Sequence, residues 1–209
     1  MKAHNDFIVH IPNKYKDTLK TKNGVKLYLD SRFSGKTAAN NIFEVVNTPV
    51  NYDGEIKPGG LLLVDPIVVH SQRYKKWGQE ENPYLIDRKK NLYRINPSLI
   101  ICYAPNNGDD FKGFNDNLIC EKHKVVAKEK ELKKIGSIYV PNMSVEKVED
   151  TSVLKVIIGN QKLATEENIF EEDLIYYKPT GAVDIMIRDN QYVWLKNKYV
   201  LGKHLKQAI

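Results

Sequence analysis

The sequence predicts an all-β chain made of two small barrels in tandem, and three observations carry that reading. Short apolar runs rich in branched and aromatic residues recur along the chain, separated by Gly, Asn, Asp or Pro. The runs come round twice in the same order. Strands this short and this numerous favour a small barrel, which removes exposed sheet edges by closing on itself.

The repeat is legible as a set of offsets. Phe7-Ile8-Val9 follows HND and Leu118-Ile119-Cys120 follows FNDN, a displacement of 111 (118 − 7). Gly24 in NGVKLYL answers Gly136 in IGSIYVP, 112 apart, and Ile42 of NIFEVV follows the first glycine at the same distance as Leu154 of VLKVII follows the second. IKPGGLLLVDP lies over IFEEDLIYYKP, with Ile56 on Ile169 and Pro66 on Pro179 at 113. LYRINPSLII, from Leu92, lies over YVWLKNKYVL, from Tyr192, at 100. The drop from 113 to 100 places an insertion of that difference between Val69 and Asn91 of the first copy. The expected domains are a first barrel over 1–105 with an enlarged insertion near 70–90, a linker over 106–115 carrying the turn formers of NNGDDFKG, and a second barrel over 116–209. Within the second copy, AVDIMIRDNQYVWL predicts a hairpin, with Val183, Ile185 and Ile187 alternating against Asp184 and Arg188.

Composition bounds the function classes. A chain of 209 residues with 42% apolar residues can bury a core in each copy, and its net charge of +6 is spread over interspersed Lys, Asp and Glu, the pattern of a solvated surface. Two cysteines, Cys102 and Cys120, make no secreted-type disulfide framework and are expected to be small buried side chains. The amino-terminal MKAHNDFIVHIPNK holds no signal-peptide core, and no window reaches the roughly 20 apolar residues of a membrane span. A cytoplasmic protein is expected, in a host cytoplasm or a virion if the gene is viral. Abundant Lys, Asn, Ile and Tyr with scarce Ala fit an AT-rich genome, bacterial or viral.

Catalytic, metal and cofactor chemistry find no constellation. His4, His10, His70, His123 and His204 are scattered, without HxxxH or CxxC partners. The pairs Glu166-Glu167 and Glu171-Glu172 sit in turn-like contexts and read as solvated charge. No nucleophile–base pair, phosphate loop or oxyanion device is visible, so no catalytic residue, metal site or cofactor is assigned and the chain is not expected to be an enzyme. The segment 73–90 mixes Tyr74, Trp77 and Tyr84 with Arg73, Lys75, Lys76, Arg88, Lys89 and Lys90, a combination that can hold single-stranded nucleic acid. Glu80, Glu81 and Asp87 dilute that field, and an enlarged hairpin or subunit contact is the preferred reading.

The second copy resembles the co-chaperonins of the GroES-like, chaperonin 10 family across nearly its whole length. Gly136-Ser137-Ile138-Tyr139-Val140-Pro141 stands where the family has its Gly-Gly-Ile-Val-Leu-Pro-like segment at the end of a mobile loop. VLKVIIG, ending at Gly159, matches a Gly-(Lys/Glu)-Val-x-x-(Val/Ile)-Gly strand. IFEEDLIYYK loosely matches Val-Lys-x-Gly-Asp-x-Val-x-(Phe/Tyr), with Asp173 in the aspartate place. QYVWLKNKYVLG corresponds to the closing strand, with Lys198 where an acidic residue is usual. The first copy follows the same outline, so the resemblance covers 4–104 and 116–203, and its specificity comes from order and spacing together. It implies two tandem GroES-like barrels. The same barrel occurs in zinc alcohol dehydrogenases, but this chain has no GxGxxG fingerprint, only two cysteines and no length for a nucleotide domain.

What the resemblance implies for function is a hook. In the family, the mobile loop carries an apolar tripeptide that docks on the chaperonin's apical domain, here Ile138, Tyr139 and Val140 with Gly136 permitting the bend. The preceding HKVVAKEKELKK has little sustained apolar surface to offset ordering entropy, so disorder of the free loop is expected. Burying three such side chains contributes about 5–9 kcal/mol gross, at about 1.5–3 each. Ordering the loop returns about 2–5 kcal/mol of that. One loop is therefore a weak hook, and several must engage a chaperonin ring together, which implies a homo-oligomer. In the first copy Lys26, Leu27 and Tyr28 occupy the hook positions at strict spacing, and a lysine in an apolar groove is costly. A shifted register offers Val25, Leu27 and Leu29 instead, and the preceding loop, NKYKDTLKTKN, reads as shorter than its counterpart. The competing readings are that Ile138–Val140 is an ordinary core strand, and that the protein is a structural or assembly component, viral or cellular, forming a ring or shell from such barrels.

Overall fold

The computed structural model describes residues 4–15, 18–20, 25–28, 39–71, 73–74, 80–123, 153–188 and 190–204. Among them are two antiparallel sheets of seven and six strands, with little helix. The N-terminal sheet runs, edge to edge, β11 (Lys112–Gly113), β10 (Ile100–Ala104), β5 (Leu61–Val64), β4 (Ile42–Asn47), β1 (Phe7–His10), β9 (Leu92–Ile95) and β8 (Leu85–Asp87). The C-terminal sheet runs β17 (Val200–Lys203), β14 (Leu174–Tyr177), β13 (Val153–Ile158), β12 (Asn117–Lys122), β16 (Asn190–Lys196) and β15 (Val183–Ile187). From β10 and β17 onward the two orders are the same. Two separate ribbons pair β2 (Thr18–Lys20) with β3 (Lys26–Tyr28), and β6 (Arg73–Tyr74) with β7 (Glu80–Glu81).

The likeness extends to register. Val9 faces Val45 after a bulge at Ile8/Val9, and Cys120 faces Val156 after a bulge at Ile119/Cys120, each residue displaced by 111. Phe43 faces Leu62 as Leu154 faces Ile175, displacements of 111 and 113. Cys102 faces Leu63 as Gly202 faces Tyr176, displacements of 100 and 113, again beside a bulge in both sheets. A bulge fixes which face each later side chain takes, so matching bulges give matching cores. Phe7, Val9, Phe43, Val45, Leu62 and Ile95 converge in the N-terminal core, and their counterparts Leu118, Cys120, Leu154, Val156, Ile175 and Leu195 converge in the C-terminal one. Side chains from successive strands of one sheet meeting in a single cluster means that each sheet curls around its own interior.

Three details depart from the sequence reading. Ile42 is the counterpart of Val153, not of Leu154, because the pairing Ile42↔Leu63 corresponds to Val153↔Tyr176. The two glycines used to anchor that alignment, Gly24 and Gly136, lie outside the described residues. The expected linker 106–115 contains a strand, β11, which pairs with β10 and extends the first sheet. Among the described residues two short α-helices interrupt the β pattern, α1 (Ile67–His70) and α2 (Gln161–Glu166), so Glu166 lies on a helix rather than in a turn.

The expected hairpin is present as β15 and β16, with Ile185 and Ile187 buried and Val183 42% exposed. The insertion near 70–90 holds the β6–β7 ribbon and β8. At the turn before β14, Glu172 adopts φ 73 where its counterpart Gly59 adopts φ 89. The family pattern has glycine there, and a side chain in this region is strained. Asp173, in the aspartate place, accepts a hydrogen bond from the Phe170 amide at 3.0 Å and pairs with Lys203 at 2.6 Å.

Candidate functional site: the loop anchors and the joint between units

Two places frame the candidate site: the rim at either end of the 124–152 segment, and the joint between the sheets. The rim is built by β12 and β13. Lys122 faces Leu154 across the ladder, and the His123 amide donates to the Val153 carbonyl at 3.3 Å. Both ends of the segment are therefore held side by side on neighbouring antiparallel strands that run down into a buried core. Gly136, Ile138, Tyr139 and Val140 lie outside the described residues.

The corresponding rim of the N-terminal unit is closed further out. The Asn40 amide donates to the Lys14 carbonyl at 2.9 Å, and Tyr15 bridges Ala39. Beyond it, Leu27 pairs with Leu19 and Lys26 with Lys20 in the β2–β3 ribbon. Val25 is 56% and Tyr28 82% exposed, while Leu29 lies outside the described residues. The alternative apolar face thus keeps Val25 at the surface and Leu27 within a strand.

The joint was not read from the sequence. The outer faces of the two sheets meet in a third apolar cluster of Leu63, Ile101 and Cys102 from one unit with Ile119, Ile185 and Ile187 from the other. Ile42, Phe111, Ile158, Tyr192 and Trp194 pack around it. Asn117, itself buried, fastens the seam. Its amide donates to the carbonyls of Ile100 at 2.9 Å and Phe114 at 3.0 Å, and its side-chain oxygen accepts from the Trp194 indole at 2.9 Å. Asn160 caps α2 by accepting from the Leu163 amide at 2.9 Å and donates to the Asn117 carbonyl at 2.9 Å. Gly113 allows the closest approach, since a Cβ there would meet the carbonyl of Gly159. A sequence signal for the joint does exist. IICYA and LLLV are nearly continuous apolar runs, the mark of strands buried on both faces.

Beside the joint, Glu55 accepts from Lys112 at 2.7 Å and from Tyr103 at 2.9 Å. The bond from Lys112, then that from Tyr103, holds the Glu55 carboxyl below its usual range. Burial pushes the Tyr103 hydroxyl up to about 12. Cys102 and Cys120 are free and fully buried, and burial raises both thiols, Cys120 to about 12. Both are packing groups that stay protonated. Among the described residues no group of three His, Cys, Asp or Glu side chains could hold a metal ion, and no helix is long and apolar enough to cross a membrane.

Residues 110–204 match the family model of the chaperonin 10 Kd subunit, Cpn10. No curated protein matches the chain. The family match spans β12 to β17 and both anchors of the 124–152 segment. Members of this family are co-chaperonins without enzymatic activity. Residues 110–204 form a chaperonin 10 domain with a GroES-like fold.

Proposed function

We propose that the chain is a co-chaperonin that caps a chaperonin ring and assists ATP-dependent folding, the ATP being hydrolysed by the chaperonin. The family match over 110–204 carries the proposal. Support comes from the anchors, because the chain leaves β12 at His123 and returns at Val153 on the neighbouring strand, so both ends of the 124–152 segment are tethered to one rim. Gly136, Ile138, Tyr139 and Val140 are its hook. The N-terminal unit, with the same strand order and registers, is a duplicated barrel. Its hook positions, Val25, Leu27 and Leu29, are the weaker ones, since a ribbon already engages Leu27. The working site is the cytoplasm.

The joint favours a second reading. A buried apolar seam between units is what a ring or shell component also needs. Limited proteolysis separates the two. For a co-chaperonin, the free protein is cut within 122–141 and is protected when the chaperonin and ATP are added. Resistance of that segment in the isolated protein favours the structural role.

A further inference from the structure

The chain passes from one unit to the other through the β10–β11 hairpin, whose strands pair Cys102 with Gly113 and Tyr103 with Lys112. At its tip the Asp109 amide donates to the Asn106 carbonyl at 3.2 Å, which closes a turn over 106–109. The Asp109 carboxylate draws the turn tighter, accepting from the Asn106 amide at 3.1 Å and from the Asn106 side chain at 2.8 Å. Asn107 and Gly108 are the two central residues, and the whole turn is exposed.

Asn107 precedes a glycine, as no other described asparagine does, and the second Asn-Gly pair of the sequence, Asn23-Gly24, lies outside the described residues. With no side chain of its own, Gly108 leaves its amide nitrogen unscreened. It has φ 116, and a Cβ on it would meet nothing within 4 Å, so solvent and base reach it freely. Among the described residues neither that amide nor the Asn107 side chain is tied up in a hydrogen bond. Other asparagines are closed to the same chemistry. Asn82 and Asn96 precede proline, which offers no N–H. Asn117 and Asn160 are buried with their side chains bonded.

We propose that Asn107 is a modification site, where the chain deamidates spontaneously and becomes a substrate for carboxyl methyltransferases that read isoaspartate. The Gly108 nitrogen loses its proton to base and attacks the side-chain carbonyl carbon of Asn107. The new C–N bond closes a five-membered imide. The bond from that carbon to the side-chain nitrogen breaks, and the nitrogen takes up a proton and leaves as ammonia. Water then adds to one of the two imide carbonyls and opens the ring. Opening at the side-chain carbonyl gives aspartate. Opening at the main-chain carbonyl gives isoaspartate, which lengthens the main chain by one carbon inside the turn closed by Asn106 and Asp109. Either product sets a new carboxylate beside Asp109 and Asp110. The change falls on the connection between the units, outside both apolar cores, and is independent of chaperonin binding.

The test is to age the full chain in neutral and in mildly alkaline buffer, folded and in urea. Peptide mapping by mass spectrometry and methyl labelling with a purified isoaspartyl methyltransferase then locate the products. In the folded chain the peptide holding 106–110 is expected to gain the amide-to-acid mass difference and the methyl label. It does so faster in the alkaline buffer, because the attacking nitrogen must lose its proton, and within a few-fold of its rate in urea. Its modified fraction is expected to exceed that of every other described asparagine by an order of magnitude. Asn107→Gln, whose longer side chain closes a larger ring far more slowly, is expected to lose both signals in that peptide. An Asn107 that stays amidated in the folded chain while it reacts in urea overturns the proposal, since the turn then protects it. So does an Asn107 unchanged in both, an equal modified fraction at another described asparagine, or a label in that peptide that persists in Asn107→Gln.

Discussion

Phe43→Ala lowers the stability of the chain by about 3–5 kcal/mol, the range for deleting a buried phenylalanine. Phe43 is fully buried and meets the Tyr93 ring edge-on at a centroid distance of 5.5 Å, so the substitution removes both packing and an aromatic contact. The counterpart Leu154→Ala removes a smaller side chain from the equivalent place and costs about 2–5 kcal/mol. The pair also reports how the units cooperate. With a buried seam between them, both variants shift one common urea transition, monitored by circular dichroism. Two transitions, each moved by only one variant, would mean that the joint does not couple the units.

Asn117→Ala is expected to cost about 2–4 kcal/mol, since each buried group left without its partner costs about 1–3 kcal/mol. The Ile100 carbonyl and the Trp194 indole N–H lose the bonds that Asn117 makes to them. The Phe114 carbonyl loses one of two, because the Asn117 backbone amide still donates to it at 3.2 Å. The Trp194 contact is separable by a double-mutant cycle with Trp194→Phe, which removes the donor while keeping a ring. A coupling of about 1 kcal/mol is expected, the usual net worth of one such bond. Strict additivity of the two substitutions would show that Asn117 and Trp194 act independently.

Much of the architecture was legible because bulges and pairings tie spacing to structure. The offsets 111, 113 and 100 reappear as register partners, and Ile56 and Ile169 both reach the buried cores. The alignment anchored on Gly24 and Gly136 slipped at Leu154, one position from Val153, which holds the register place of Ile42. β11 was missed because Lys112–Gly113 carries no apolar pattern and exists only as a partner for β10. α2 was missed because it is less than two turns long. Its one local signal is Asn160, whose side chain caps the Leu163 amide. The joint was harder still, since sequence periodicity tells which side chains leave the solvent, not what they meet. Cys102 was expected to be buried, as it is, but the sequence did not show that it and Leu63 pack against the other unit. The hook, by contrast, was read only through resemblance, and Ile138 lies outside the described residues.

The central claim is ATP-dependent engagement of a chaperonin ring through that hook. The most direct measurement is co-elution of the purified protein with a ring-forming chaperonin, with and without ATP, for wild type and Ile138→Asp. Wild type that co-elutes only with ATP, and a folded Ile138→Asp that does not co-elute, is the predicted result. Wild type that never co-elutes with the chaperonin of its own cell, or Ile138→Asp that co-elutes as well as wild type, would contradict it.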